Sequence, residues 1–427
     1  MNYTIHDSKI IHMVGIKGQG MTALCEFLVA QGKLVTGSDM EEPFSTDEVL
    51  RKLGIHVSGF QKNNITQSTD VVVRSSAYGD THVEIVAARK NGIPVVDYID
   101  AVAELFNTKI GILVVGTHGK TTTTALIGLM LEDAGLDPMV LVGATVRRWK
   151  RNARVGHGAW MVAEGDEYQN KFLKLQPKVL VLTSIEYDHP DFFKTKKQYE
   201  KAFQKLVSHL PKNGLLIAEK HLKRILKKIP CKVVWYGITG KGEGRHMELN
   251  RAAALCVASY LNISLQKAKQ SLNAYEGTSR RMELYTSPAS PIVIIDDYAH
   301  HPTEIRTTLA AVRRQYPKRA ITALFQPHTY SRTHTLLADF AGAFKDADEV
   351  VLLPIYSSAR ERKEDFPADL LPRLRDGIIH AQKKTSVHIL SFPEAIKYGK
   401  NLSSTSKKRV LITLGAGDGW KIAKALA

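Results

Sequence analysis

The chain has 427 residues, 44% of them hydrophobic, and a formal net charge of +17. At roughly 100–200 residues per domain, that length excludes a single small domain and leads us to expect three, each apolar enough to bury a core. The charge suits nucleic acid, an anionic surface, anionic small substrates or simply a solvated basic face.

The start, Met1-Asn2-Tyr3-Thr4-Ile5-His6-Asp7, has neither the basic nor the apolar region of a secretory signal, so a reducing cytoplasm is expected. No stretch anywhere reaches the roughly 18 uncharged apolar residues of a membrane span, so no membrane insertion is expected. The first block begins with an apolar strand, Ile10-Ile11-His12-Met13-Val14. The loop Gly15-Ile16-Lys17-Gly18-Gln19-Gly20 follows, then a helix with Met21, Leu24, Phe27 and Leu28 on one face. A second strand, Leu34-Val35-Thr36, runs into Gly37-Ser38-Asp39. Strand, glycine loop, helix, strand and acidic residue together read as a Rossmann-like unit. The spacing G-x-x-G-x-G differs from the dinucleotide fingerprint, so NAD is not favoured. The loop is either a seat for a diphosphate at a helix N-terminus or a tight turn. Val71-Val72-Val73 and Ile93-Pro94-Val95-Val96 add short strands, and the block is expected to span residues 1–107.

The second block, expected over 108–290, opens with the buried-strand pattern Ile110-Gly111-Ile112-Leu113-Val114-Val115. It leads into Gly116-Thr117-His118-Gly119-Lys120-Thr121-Thr122 and a helix that runs to Gly135, a plausible C′ residue. A glycine turn between strand and helix lets backbone N–H groups approach phosphate oxygens. Lys120 can reach the β- and γ-phosphates, and the Thr121 hydroxyl can bind Mg²⁺. The general P-loop has a glycine where this chain has Val114. Two further strands end in candidate ligands: Trp160-Met161-Val162-Ala163 before Glu164, and Val179-Leu180-Val181-Leu182-Thr183 before Glu186-Tyr187-Asp188-His189. Strand tips of a parallel sheet are where ligands collect. Glu164 and His189 can therefore complete a Mg²⁺ site with Thr121. Imidazole is an unusual ligand for so hard an ion, so His189 is read equally as a γ-phosphate contact. Asp188-His189-Pro190-Asp191 also suits a plain strand-to-loop turn.

The arginines Arg280-Arg281 stand where the second and third blocks join. They suit a phosphate clamp or a solvated linker. The third block, expected over 291–427, starts with Ile292-Val293-Ile294-Ile295 and Asp296-Asp297-Tyr298-Ala299-His300-His301-Pro302-Thr303-Glu304. Thr303 or Asp297 could simply cap the helix that follows, but two aspartates and two histidines at one strand tip are more than capping requires. Strands at Ile321–Phe325, Val350–Leu353 and Val410–Leu414 alternate with helices, so this is again an α/β unit. The basic residues are scattered along the whole chain. Runs such as Lys194-Thr195-Lys196-Lys197 and Lys407-Lys408-Arg409 lack interleaved stacking aromatics, so nucleic acid is not expected as a partner. Cys25, Cys231 and Cys256 lie far apart without CxxC spacing, against a disulfide framework or structural zinc. The fold class expected is α/β in three domains: Rossmann-like, a central P-loop ATPase-type parallel sheet, and a C-terminal Rossmann-like domain.

With these residues in order, the chain resembles the Mur ligase family over nearly its whole length, and its L-alanine-adding branch in particular. Gly15, Lys17, Gly18, Gly20, Met21, Ser38 and Asp39 resemble that branch's UDP-sugar loop, and Ser75 and Ser76 its next substrate loop. Gly116, Thr117, His118, Gly119, Lys120, Thr121 and Thr122 resemble the family's ATP loop, which accounts for Val114. Glu164 with Asp166-Glu167-Tyr168, and Asp188-His189-Pro190-Asp191, resemble its metal and catalytic segments. Gly244-Arg245-His246 with Asn250 resembles an ATP-contacting helix start. The hinge Arg281 with Asp297, His300 and His301, the segment from Phe325 through His328 to Arg332, Ser358-Ala359-Arg360-Glu361 and Gly415-Ala416-Gly417-Asp418 resemble the C-terminal domain.

What the resemblance implies is ATP-dependent ligation of L-alanine to the lactyl carboxylate of UDP-N-acetylmuramate through an acyl phosphate, with Mg²⁺. Lys120, Glu164, His189 and Arg332 are the implied catalytic residues, with Thr121, Glu164 and His189 on the metal. Arg332, His301 and His328 are implied on the substrate side, and His246, Asn250, Arg281, Asp297 and His300 on ATP. A recycling ligase that adds a wall tripeptide to the same sugar is the alternative within the family. A homodimer is left open. Three positions depart from the family pattern. Met247 and Ser184 each stand where asparagine is usual, and the stretch from Tyr236 to Gly244 is short enough to have lost hairpin strands.

Overall fold

A computed structural model of the chain describes residues 5–238, 245–358, 361–382, 385–403 and 408–427. The sequence features at Met1–Thr4, Gly244, Ala359, Arg360 and Lys407, and the shortening ahead of Gly244, lie outside the described residues.

The first sheet holds β1 (Ile10–Val14), β2 (Leu34–Ser38), β3 (Val57–Ser58), β4 (Val71–Arg74) and β5 (Val95–Asp97) in the order β3-β2-β1-β4-β5, all parallel. The second holds β6 (Ile110–Val115), β7 (Met139–Val146), β8 (Arg151–Arg154), β9 (Trp160–Glu164), β10 (Val179–Leu182), β11 (Leu215–Glu219) and β12 (Lys232–Tyr236). Its order is β12-β11-β10-β6-β9-β7-β8, and only the β7–β8 pair is antiparallel. The third holds β13 (Glu283–Leu284), β14 (Ile292–Asp297), β15 (Ala320–Phe325), β16 (Glu349–Leu352), β17 (Ser386–Ile389) and β18 (Arg409–Leu414). It runs β13-β14-β18-β15-β16-β17, with only β13 antiparallel.

The central strands are continuous apolar runs because helices cover both faces of a parallel sheet. Ile112 to Val115 and Val179 to Leu182 are fully buried. In both of the first two sheets the strand that feeds the glycine loop sits at a reversal of strand order: β1 lies between β2 and β4, and β6 between β10 and β9. Such a switch point leaves a crevice at the strands' C-terminal ends, where ligands bind. The helix Lys120–Asp133 ends as expected, with Gly135 at φ +80°.

Two details differ from the sequence reading. The third sheet starts at Glu283, ahead of the boundary expected at 290, because the two-residue β13 folds back on Ile295 and Asp296. The cap of the helix Pro302–Gln315 is neither Thr303 nor Asp297. The His301 ring nitrogen Nδ1 accepts from the Thr303 N–H at 3.3 Å, and Pro302 occupies the first helical position. No helix among the described residues is long and apolar enough to cross a membrane.

By internal contacts the chain forms two compact units. One comprises Met1–Ile185, Ala202–Gly237 and Leu249–Gly277, and holds the first two sheets. The other comprises Glu186–Lys201, the described part of Ile238–Glu248, and Thr278–Ala427. The segment that follows β10 therefore folds with the third sheet.

Candidate active site

The loop after β6 is shaped by what surrounds it. Gly116 has φ +138°, and a Cβ there would lie 2.2 Å from Thr183 Oγ1, so only glycine fits. The loop is pinned by the end of β10. The Thr183 hydroxyl donates to the His118 carbonyl at 2.6 Å, and Ser184 accepts from both Thr117 N–H (carbonyl, 3.1 Å) and His118 N–H (hydroxyl, 2.9 Å). Ser184, a departure from the family pattern, thus holds the loop. The amides of Thr117 and His118 are engaged by it, so the amides of this loop that can turn to an anion are those from Gly119 onward, where the first helical turn has no intrahelical acceptors. The Asn250 side-chain oxygen lies against Gly119, within 2.5 Å of where a Cβ would stand. Met247 is exposed on the same helix, Arg245–Tyr260.

Lys120 Nζ donates to the Gly116 carbonyl at 2.6 Å and sits 3.0 Å from Glu167 Oε2. Burial pushes the ammonium pKa down, but Glu167 and Glu164 outweigh it, and the result lies above the ordinary value. Lys120 is therefore a fixed positive charge. Next to it the Thr121 hydroxyl donates to Glu164 Oε1 at 3.0 Å, while Glu164 Oε2 accepts the Gly143 N–H at 2.7 Å. Gly143 lies where the β7–β8 register shifts, and a Cβ on it would come 2.7 Å from the Glu164 carboxylate. That close approach went unread in the sequence, although a glycine inside a strand is its usual sign.

The N-terminal loop is held just as firmly. Gly15 has φ +80°, and a Cβ would strike the Tyr78 ring at 2.5 Å and the Ser75 side chain at 2.9 Å. Asp39 accepts the Lys17 N–H at 2.7 Å, and Lys17 Nζ donates to the carbonyls of Met40 and Glu42, each at 2.9 Å. Ser38 is fully buried, with its hydroxyl 2.5 Å from Glu84 Oε2, and its carbonyl accepts the N–H groups of Gly15 and Ile16. Lys17 and Ser38, expected to touch substrate, shape the loop from within. Gly20 and Ser76, from this domain, and Lys120, Gly143 and Glu164, from the central sheet, line one cleft of about 320 Å³ with Tyr98 and Asn152. Met21 is buried in the helix behind it.

The second unit gathers the remaining candidates. Arg332, 4% exposed, makes a bidentate pair with Asp188: Nε to Oδ1 at 2.7 Å and a terminal nitrogen to Oδ2 at 3.1 Å. It also donates to the His328 carbonyl at 3.2 Å. The guanidinium expected to hold substrate is thus held by a carboxylate of the chain. Although burial opposes it, Arg332 and His189 keep the Asp188 carboxyl well below the usual range. His189 has φ +56° and is in this unit, so of the three implied metal ligands Thr121 and Glu164 are the pair that shares a unit. His301 has both ring nitrogens near protein partners, Thr303 N–H and the Tyr187 carbonyl. Asp297 is buried and accepts from Met282 and Ala299 N–H groups, so it ties the arginine turn to β14. Arg281 lies over the Tyr298 ring, 5.3 Å from its centre, and 3.7 Å from Glu304. His246 meets the Thr307 hydroxyl at 3.1 Å.

His300 donates to the Tyr298 carbonyl at 3.0 Å, and His328 stacks on Tyr356. Burial lowers their pKa values to about 4 and about 3. Both rings are neutral in the native chain near pH 5, whereas in the unfolded chain they titrate at about 6.5. Below that pH the unfolded state binds more protons, so stability falls as pH drops from about 6.5 to about 4. The slope is up to about 1.4 kcal/mol per pH unit for each ring. Urea midpoints at pH 7 and pH 5 should therefore diverge less in His300→Gln and His328→Gln than in the unmodified chain. An unchanged divergence in both would refute this.

Models of three Mur ligase domains match the chain in order: "Mur ligase family, catalytic domain" over residues 10–110, "Mur ligase middle domain" over 114–254 and "Mur ligase, glutamate ligase domain" over 280–417. The chain belongs to the Mur ligase family. Within it, the chain is 38% identical to the UDP-N-acetylmuramate–L-alanine ligase of Desulfitobacterium hafniense (strain Y51), over 97% of this chain and 99% of that protein. Among solved structures, the UDP-N-acetylmuramate–alanine ligase of Thermotoga maritima aligns with a TM-score of 0.78 at 26% identity, covering 98% of both chains. A murein peptide ligase from Psychrobacter arcticus 273-4 aligns at 0.71 and 22% identity, again over 98% of both, and shares the fold.

Proposed function

We propose that this chain uses ATP to join L-alanine to the lactyl carboxylate of UDP-N-acetylmuramate, a step of peptidoglycan precursor synthesis in the cytoplasm. The observation that carries the reading is the single cleft lined by Gly20 and Ser76 on one side and Lys120 and Glu164 on the other. A reaction between a nucleotide sugar and ATP requires a diphosphate loop and a triphosphate loop at one place, and residues of both glycine loops lining this cleft support that reading.

Lys120 and the first-turn amides hold the β- and γ-phosphates. The Thr121 hydroxyl and Glu164 carboxylate are hard oxygen donors 3.0 Å apart, a set that fits Mg²⁺ with waters completing its shell. Mg²⁺, when bound, neutralises the repulsion between the carboxylate and the γ-phosphate. His189 is proposed as a further ligand or γ-phosphate contact. The carboxylate oxygen attacks the γ-phosphorus and ADP leaves. The neutral amine of L-alanine then attacks the acyl carbon of the acyl phosphate, and inorganic phosphate leaves. Positioning supplies much of the rate, since effective molarities in well-oriented reactions are large.

The test is phosphate release with Mg-ATP, UDP-N-acetylmuramate and a panel of L-alanine, glycine, L-serine, D-glutamate and a wall tripeptide. Turnover that requires both the sugar and L-alanine supports the reading. Turnover with the tripeptide alone would make the chain a recycling ligase. Silence from folded protein with every acceptor would overturn the ligase reading.

A further inference from the structure

The proposed ligase reading gives Lys120 its task but leaves the carboxylate beside it without one. Glu167 is 2% exposed and reaches Lys120 Nζ through both oxygens, at 3.1 Å and 3.0 Å. Its backbone has little freedom. Gly165 N–H is bonded to the Val114 carbonyl, Tyr168 N–H to Asp166 Oδ1, and Phe172 N–H to the Asp166 carbonyl. Two successive non-glycine residues, Gln169 and Asn170, then hold left-handed φ values of 55° and 59°, a conformation kept only where the surroundings impose it. The carboxylate is thus presented from a rigid turn.

An ammonium has three donors. In the chain they are directed at the Gly116 carbonyl, more distantly at the Thr117 carbonyl, and at Glu167. The two carbonyls belong to the phosphate loop itself, so arriving phosphate oxygens compete with them directly. Glu167 stands on a different loop, after β9. We propose that Glu167 is a positioning residue for Lys120: it keeps one donor of the ammonium throughout, while the other two pass from the loop carbonyls to the phosphates of ATP. The inference rests on the ATP reading of the loop. It has two opposed consequences. The carboxylate fixes the ammonium for phosphoryl transfer, and its negative charge close to the phosphates weakens nucleotide binding.

Glu167→Gln separates the two. ADP affinity is measured by calorimetry, and kcat and KM for ATP by phosphate release, with melting temperature followed alongside. The expected result is a kcat about tenfold to a hundredfold lower, since small misplacements cost that much, with KM for ATP and Kd for ADP several-fold lower. A purely structural role would lower kcat through the folded fraction and would not tighten binding. Glu167→Asp, which keeps the charge on a shorter stem, serves as the second variant if glutamine prevents folding. It should retain the ADP affinity of the unmodified chain and recover part of kcat. Unchanged or weaker ADP binding by folded Glu167→Gln, an unchanged kcat, or no recovery in Glu167→Asp would each overturn the proposal. Failure of the unmodified chain to bind ADP would overturn the ATP reading, and this inference with it.

Discussion

Lys120→Ala is expected to lower kcat by about 10³-fold, the scale seen when a fixed charge is removed from a phosphoryl-transfer or oxyanion site. The same substitution acts on stability through a separate route. It strips the buried Glu167 carboxylate of its cation, and breaking a buried pair by removing one partner costs about 3–5 kcal/mol. The lower end applies, because the Lys120 side chain keeps 17% exposure. Adding Glu167→Gln to Lys120→Ala should return most of the stability and none of the turnover. Urea unfolding and phosphate release on the single and double variants decide the matter. If the double variant is no more stable than Lys120→Ala, the pair is not the origin of the loss. Recovery of turnover would remove Lys120 from the chemistry.

The second large effect is in the other unit. Arg332→Ala should destabilise the chain by about 3–5 kcal/mol, because it leaves the Asp188 carboxylate buried and uncompensated. Asp188 has its pKa depressed in the native state, so its contribution is present above the unfolded value of about 3.9 and fades as pH falls below it. The loss in Arg332→Ala should therefore shrink toward acid pH. An Asp188→Leu, Arg332→Met pair, similar in volume and uncharged, should recover most of the stability, as buried ion pairs elsewhere have been replaced without loss. A cost below about 1 kcal/mol for Arg332→Ala at pH 7 would mean that the guanidinium is not held as the structure shows. Both variants should also lose turnover if the geometry beside His189 matters to it.

The parts of the site that could be read from the sequence are those whose chemistry demands a fixed local spacing. A backbone cradle for phosphate needs Gly116, Gly119 and Lys120 between a strand and a helix, and that order is visible in the chain itself. Glu164 was legible for the same reason, as an acid at the tip of an apolar strand. The Asp188–Arg332 pair was not, because its partners are 144 residues apart and neither carries a local sign of the other. Lys17, in the loop after β1, and Ser38, at the end of β2, turn their side chains inward, a direction that spacing does not encode. The β7–β8 pair was missed because its turn, Arg147-Arg148-Trp149-Lys150, is basic and bulky where a tight hairpin would favour Asn-Gly. The helix cap was readable: proline at the first helical position marks the residue before it, His301, as the cap.

The segment Glu186–Lys201 leaves the central sheet after β10 and folds with the third one, and that has a consequence for biosynthesis. Asp188 leaves the ribosome 144 residues before Arg332 does. At about 5–20 residues per second, the interval is on the order of ten seconds. During that time the nascent chain carries Asp188, one of four acidic side chains set beside four lysines in its own segment, before its Arg332 partner has been made. A chain stopped at Gly277 would contain all of the first unit and still lack Arg332, so the Asp188 carboxylate would await its cation until the third sheet is made.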